Sequence, residues 1–248
     1  MKIIDIHTHI LYGIDDGARD SEMSLKLMGM DYEQGVRGIF CTNHNYGMED
    51  RYKDYHSRFD KLRKVAAERY PGLEIYKGCE ILCYREEMPE IISNIKNDVY
   101  PTMNGTSYVL LEFDPHGTKG MEEMRYCLEY TLEQDYVPII AHVERYKSIY
   151  DDPLEDMIQL KNMGCLAQVN LYSVEQDRGS VGGGSRKELT NLFLKHKLVD
   201  FVGTDTHRLD YKSPEAAIGA ITLREKYGDE YAEDVLYRNA MNDLICGY

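Results

Sequence analysis

The feature that most constrains the fold is an alternation of short β-branched runs with amphipathic stretches along the whole chain. Residues 2–6, 38–41, 73–78, 108–111, 137–141, 166–169 and 200–203 read as seven strands. Helical spacing fills the intervals, with start signals at Asp152 before Pro153, at Ser213 before Pro214, and in the capping box of Ser185 with Glu188. Tyr52, Tyr55, Phe59 and Leu62 recur at helical spacing and read as one buried face. Strands that alternate with helices run parallel, so the chain is predicted to form an α/β parallel sheet or barrel. No Pro/Ser-rich linker and no repeat divides it, and residues 1–248 are expected to make a single domain large enough to bury a core without staples.

The chemistry falls at the ends of those strands. His7 and His9 follow the first strand, His44 the second, Glu80 the third, Glu112 the fourth, His142 the fifth, and Asp205 with His207 the seventh. In a parallel barrel every C-terminal strand end opens on one face, so residues far apart in sequence converge there. His7 and His9 are two apart in an extended segment and point the same way, and Asp205 with His207 repeats that spacing. Asp16, in the turn Asp15-Asp16-Gly17, can fold back over the same mouth. Four carboxylates and five imidazoles exceed the needs of one ion and suit two or three divalent metals, with Glu80 as the natural bridge. No thiolate joins them, which disfavours a closed structural zinc site; mixed nitrogen and oxygen ligation suits Mn2+, iron or catalytic Zn2+.

Charge narrows the partners. Lys and Arg number 29 against 43 Asp and Glu, a formal net charge of −14, so most of the surface repels nucleic acid and anionic membranes. Three divalent ions would outweigh the four carboxylates and make the mouth cationic, with Arg145 and Arg208 as forked donors for a phosphate. No apolar run reaches spanning length, the first ten residues lack the core of a signal peptide, and six scattered cysteines suit reduced thiols in the cytoplasm. Cys79 and Arg85 have the spacing of a cysteine-dependent phosphatase loop, but the residues between them are bulky, glycine-free and begin with a carboxylate, which is wrong for wrapping a phosphate. Residues 179–184 have P-loop spacing without the Lys-Ser/Thr that must follow, and read as a loop near the active face.

Taken together, Ile6-His7-Thr8-His9, Asp15-Asp16-Gly17, Cys41-Thr42-Asn43-His44, Gly78-Cys79-Glu80, Leu110-Leu111-Glu112-Phe113, Ala141-His142-Val143-Glu144-Arg145-Tyr146 and Gly203-Thr204-Asp205-Thr206-His207 resemble the polymerase and histidinol phosphatase (PHP) superfamily. Within it the chain is similar to the bacterial manganese-dependent protein-tyrosine phosphatases of capsule and exopolysaccharide operons, from residue 3 to about 245. The resemblance implies a distorted (β/α)7 barrel with a trinuclear metal centre. By the family pattern His7, His9, Glu80 and Asp205 surround one ion, Asp16, His44 and His207 hold a second, and Glu112 with His142 completes the third. At the position of Glu112 many superfamily relatives carry histidine while the tyrosine phosphatase branch has glutamate, and Arg145 matches that branch's phosphate-binding arginine. Asn43 and Arg208 depart from the pattern at the pocket rim without removing a ligand. The implied reaction is attack of a metal-bridging hydroxide on the phosphorus of phosphotyrosine, with a bacterial tyrosine autokinase of polysaccharide export as partner. The alternative is a small-molecule phosphatase of the same superfamily, such as one acting on histidinol phosphate.

Overall fold

The computed structural model describes residues 2–48, 51–176 and 186–247; Ser185, the loop at 179–184 and the side chain of Tyr52 lie outside the described residues. Among the described residues eight strands occur: β1 (Ile3–Thr8), β2 (Val36–Cys41), β3 (Glu74–Lys77), β4 (Glu80–Leu82), β5 (Tyr108–Glu112), β6 (Val137–Ile140), β7 (Leu166–Asn170) and β8 (Phe201–Gly203). Between and after them come helices α1 (Ser21–Glu33), α2 (Tyr52–Arg69), α3 (Met88–Lys96), α4 (Met121–Leu132), α5 (Pro153–Asn162), α6 (Arg186–Lys195), α7 (Ala217–Tyr227) and α8 (Asp229–Glu233). Two wider helical turns, Asp234–Arg238 and Ala240–Cys246, extend α8. Every ladder is parallel, in the order β1-β2-β3 in one sheet and β4-β5-β6-β7-β8 in the other.

Isolated bridges rather than ladders join the two sheets. His44 bridges to Glu80 at one seam and Thr8 to Thr206 at the other. At the second seam the Asp205 N–H donates to the His7 carbonyl at 2.9 Å and the His9 N–H to the Thr206 carbonyl at 2.7 Å. The strands thus form the distorted parallel ring that the sequence implies, and both irregular seams run through candidate site residues.

The sequence reading is corrected at the third strand. The run at 73–78 does not continue as one element; it breaks at Gly78-Cys79 into β3 and β4, which belong to different sheets. Gly78 passes so close to its neighbours that a Cβ would stand 2.9 Å from Thr42 Cγ2 and 3.0 Å from Met103 Sδ. Tyr55 of α2 supplies the hydrogen bonds the broken ladder gives up: its hydroxyl accepts from the Gly78 N–H at 3.2 Å and lies 3.0 Å from the Cys41 and Gly78 carbonyls. Tyr55, Phe59 and Leu62 are buried, as their spacing predicts.

Helix starts divide the same way. Asp152 caps α5, accepting from the Leu154 and Glu155 N–H groups, with Pro153 in the first turn. Ser213-Pro214 starts no helix, and α7 begins only at Ala217. Its free amides are met from a distance, where Gln34 Oε1 accepts from Ala216 and Ala217 at 2.8 and 3.0 Å while its Nε2 donates to the Pro214 carbonyl at 3.0 Å. Strands covered on both faces read as near-continuous apolar runs, and β1 is buried at all six positions. Ile4, Ile6, Phe40, Leu110, Ile139 and Phe201 come from strands of both sheets and pack together with Met103, Ala240 and Leu244, filling the ring below the site.

Candidate metal centre

Glu80, at the start of β4, stands at the middle of the converging side chains. Its Oε2 lies 3.2 Å from His7 Nε2, 3.1 Å from His9 Nε2 and 3.1 Å from His44 Nδ1, and its Oε1 lies 2.8 Å from His142 Nε2. Glu112, the last residue of β5, reaches His44 and His142 at 3.5 Å each. Asp205 Oδ1 approaches His7, His9 and His207 at 3.8, 3.5 and 3.4 Å. Asp16 is half exposed and closes the outer side, 3.6 Å from His207 Nε2 and 4.0 Å from His44 Nε2. The structure therefore brings together all nine residues singled out in the sequence. Their donor atoms fall into four overlapping groups within 4.8 Å: His9, Asp16, His44 and His207; His7, Glu80 and His142; His7, His9 and Asp205; and His44, Glu80 and Glu112.

Local backbone irregularity aims these side chains. The β1–β2 register shifts between Asp5 and Thr8, a bulge of the kind that re-aims side chains beside active sites. His142 and Asp205 have left-handed backbones, with φ of 31° and 55°. Such positions cost roughly 1–3 kcal/mol each and persist only where the surroundings over-determine them. Here the His142 N–H donates to Gln168 Oε1 at 2.8 Å, and the Asp205 N–H donates to the His7 carbonyl.

Several supporting residues were missed by the sequence reading. Asp15 Oδ2 holds His9 Nδ1 at 2.8 Å and accepts from the His44 N–H at 2.8 Å, while its Oδ1 accepts from Asn43 Nδ2. The Asp-Asp pair itself was a signal, of which only Asp16 was used. Gln168 Oε1 lies 3.1 Å from His7 Nδ1, and Asn170 Nδ2 donates to Asp205 Oδ2 at 3.3 Å. Both sit on β7, the one predicted strand without a candidate ligand, and two polar residues at alternate positions of a buried strand were a readable sign. Tyr146 places its hydroxyl 3.2 Å from His142 Nδ1 and accepts there from the Phe113 N–H.

Two cations stand beside Asp205. Lys212 Nζ donates to Asp205 Oδ2 at 2.7 Å, and Arg145 Nη1 lies 3.9 Å from the same oxygen, 3.6 Å from Glu112 and 2.9 Å from His142 Nε2. No spacing signal marked Lys212. Arg208 lies further out at the rim, donating to the Asp16 carbonyl at 3.3 Å and pairing with Asp210 at 3.4 Å.

The electrostatics follow from burial and crowding. Burial works against charge on Glu80, yet the surrounding imidazoles hold its carboxyl well below the ordinary range. Burial likewise opposes protonation of His7 and His9, but Glu80 with Asp205 raises the first, and Asp15 with Glu80 raises the second. His207 is pushed down to about 2 by burial and then by the tilted His9 ring, whose centroid is 3.8 Å away. Glu80 Oε2 and His44 Nδ1 are buried with no hydrogen bond. Nitrogen and oxygen donors that converge this closely fit divalent cations, and the donor set contains no sulfur.

Residues 3–245 match the family described as capsular polysaccharide synthesis, CpsB/CapC. This chain belongs to that family. Among relatives, the tyrosine-protein phosphatase CpsB of Streptococcus agalactiae serotype III is 32% identical over 245 residues, covering 98% of each chain. The tyrosine-protein phosphatase YwqE of Bacillus subtilis is 28% identical over 92% of this chain and 86% of that one. A solved structure from work on YwqE of Bacillus subtilis and CpsB of Streptococcus pneumoniae, described as metal-dependent tyrosine phosphatases, superposes with a TM-score of 0.79 at 24% identity, covering 99% of this chain and 95% of the other. That likeness shows a shared fold. The CpsB/CapC match and the branch inferred from the motif strings coincide.

Proposed function

We propose that this CpsB/CapC family member is a metal-dependent phosphatase that hydrolyses phosphotyrosine in a protein substrate. The observation that carries it is the juxtaposition of nine nitrogen and oxygen donors with Arg145 and Lys212 at one mouth. The full-length similarity to proteins named tyrosine-protein phosphatases supports the substrate class.

His7, His9, Asp16, His44, Glu80, Glu112, His142, Asp205 and His207 would hold two or three divalent ions, Mn2+ before iron or Zn2+. Bound ions of this kind supply Lewis acidity toward phosphoryl oxygens and lower the pKa of water. Asp15, Gln168 and Tyr146 fix the orientation of His9, His7 and His142 through the ring nitrogen that faces away from Glu80. Arg145 brings a fork whose Nε is buried and unpartnered, and Lys212 adds a point charge, so both are set to bind the equatorial oxygens of a phosphate. Arg208 meets the substrate at the rim. A tyrosine phenolate has a pKa of about 10 and leaves with little protonic help.

The family's place in capsular polysaccharide synthesis supports a bacterial tyrosine autokinase of polysaccharide export as substrate and the cytoplasm as the place of action. No helix among the described residues is long and apolar enough to cross a membrane. The same family match, over nearly the whole length, supports a single phosphatase domain.

Phosphate release from a phosphotyrosine peptide, measured beside a phosphoserine peptide and histidinol phosphate with chelator treatment and Mn2+ add-back, tests this directly. Chelator-sensitive release selective for phosphotyrosine is expected. Release from histidinol phosphate alone would keep the metal centre and reject the substrate, and chelator-resistant release would reject the metal chemistry.

A further inference from the structure

A phosphate needs cations and hydrogen-bond donors, yet the mouth of the centre is also rimmed by large apolar side chains left in solvent. Tyr46, Leu209 and Tyr211 are 57%, 41% and 49% exposed. The Tyr46 ring stacks on His44 with centroids 4.8 Å apart, and its hydroxyl donates to Asp16 Oδ1 at 3.3 Å. Tyr211 stands edge-on to His207 at 5.8 Å. Leu209 sits in the turn that Arg208 and Tyr211 close by mutual backbone hydrogen bonds of 2.9 and 3.3 Å.

Position relative to charge gives these side chains a direction. Arg208 and Lys212 lie 5.5 and 5.7 Å from the Tyr211 ring centroid, while the Lys212 ammonium is also 2.7 Å from Asp205. A phosphate held by Arg145 and Lys212 therefore has Tyr211 beside it and solvent beyond, and the group esterified to it must leave along the rim. A tyrosine hydroxyl can donate to an anion, but the ring faces are matched by an aromatic ester group, which can meet them in offset or edge-to-face contact.

We propose that Tyr46, Leu209 and Tyr211 form the surface that receives the aromatic ring of the substrate and so select an aryl phosphate over an alkyl one. This rests on the phosphatase function proposed above and names the residues that set its specificity. Tyr46 approaches from the His44 side and Tyr211 from the His207 side, with the Asp16 turn, bonded to Tyr46 and to Arg208, between them.

The test uses Mn2+-loaded protein and two non-hydrolysable probes, phenylphosphonate and methylphosphonate, whose binding is measured by calorimetry so that leaving-group reactivity does not enter. Ring contacts of this kind are worth about 2- to 10-fold each in affinity. Tyr46→Ser, Leu209→Ser and Tyr211→Ser are therefore each expected to weaken phenylphosphonate by about 2- to 10-fold, and the triple variant by more, while methylphosphonate moves less than about twofold. Metal content and circular dichroism are read on the same samples. An unchanged phenyl-to-methyl ratio in the triple variant, with phosphotyrosine hydrolysis intact in the parent protein, would overturn this proposal and leave the phosphatase function standing. Equal loss of both probes would make the rim a support of the metal centre and would also overturn it. A parent protein that releases phosphate from no ester would overturn both.

Discussion

Gly203, the last residue of β8, occupies a position where a single methyl group should reach the metal centre. A Cβ there would stand 2.5 Å from His7 Cβ, 3.0 Å from Gln168 Nε2 and 3.2 Å from His7 N. Carbon atoms in contact prefer about 3.5–4.0 Å, so about 1 Å of displacement is required. Neither neighbour can give way cheaply. His7 Cβ is fixed to a fully buried strand, and Gln168 is held between His7 Nδ1, the His142 N–H and Asn170. Overpacking of this kind costs roughly 1–3 kcal/mol, a fall in Tm of about 2–12 °C for a chain of this size. The same displacement tilts His7 and the Gln168 that orients it, and disturbing such supports costs about 10- to 100-fold in metal affinity. Gly203→Ala is therefore expected to lower both Tm and metal retention, measured by calorimetric melting and by metal content after dialysis against a weak chelator. Gly228→Ala is the control: its φ is +88° and nothing lies within 4 Å of the added Cβ, so it should lower Tm and leave metal content unchanged. Wild-type Tm and metal content in Gly203→Ala would refute the claim that the close approach of β1 and β8 sets His7.

Three other perturbations probe different parts of the structure. Asp15→Asn leaves the backbone of the Asp15-Asp16-Gly17 turn in place but replaces an anion that orients His9, and should weaken Mn2+ retention about 10- to 100-fold in a chelator competition. Arg145→Ala and Lys212→Ala should each lower kcat/KM for a phosphotyrosine peptide without loss of bound metal; metal loss in step with activity would reassign them to holding the centre together. Asp31, in α1, is buried with no hydrogen bond to either oxygen, and burial, then Asp5, raises its pKa well above the ordinary value. A carboxyl raised in the folded state contributes stability fully present below its unfolded pKa of about 3.9 and lost as pH rises through the folded value. Asp31→Asn removes the proton-linked part of that cost and should therefore raise Tm at pH 7, with the gain shrinking toward pH 4. A gain independent of pH would show that Asp31 is not titrating.

What could be read from the chain was what a local rule governs. His7, His44, Glu112, His142 and Asp205 each follow an apolar run, and a parallel ring obliges the ends of such runs to share a face, so the centre was visible before any coordinates. Asp152 with Pro153 was legible as a helix start because the side chain and the amides it caps are neighbours. The failures involve partners distant in sequence. Gln34 caps α7 from 182 and 183 positions away, and Tyr55 repairs the ladder broken at Gly78 from 23 positions away. Lys212 is five residues beyond His207 in no periodic relation to it, and only the turn at Arg208–Tyr211 returns it to Asp205. Gln168 and Asn170 carry no ligand signature in the sequence, because an amide orients or contacts a ligand candidate without having the chemistry of one.

The charges at the mouth also explain how an acidic protein can recruit an anion. Asp15, Asp16, Glu80, Glu112 and Asp205 crowd one region with Arg145 and Lys212 beside them and Arg208 at the rim, in a chain of net charge −14. Two unit charges 4 Å apart interact by about 4 kcal/mol at an effective dielectric of 20, so a phosphate dianion meets a steep barrier here while the carboxylates are uncompensated. The two cations are no remedy by themselves, because both are drawn toward Asp205 Oδ2. Divalent cations held among the nine donors would compensate the carboxylates, and Arg145 and Lys212 would then lose their strongest local competitor for a phosphate. Phosphate affinity and metal affinity are consequently two readings of one coupling free energy: whatever factor Mn2+ adds to phosphate binding, phosphate must add to Mn2+ retention. A net charge of −14 disfavours polyanions over most of the surface, and metal compensation of the carboxylates would make this mouth the place where a phosphate is accepted.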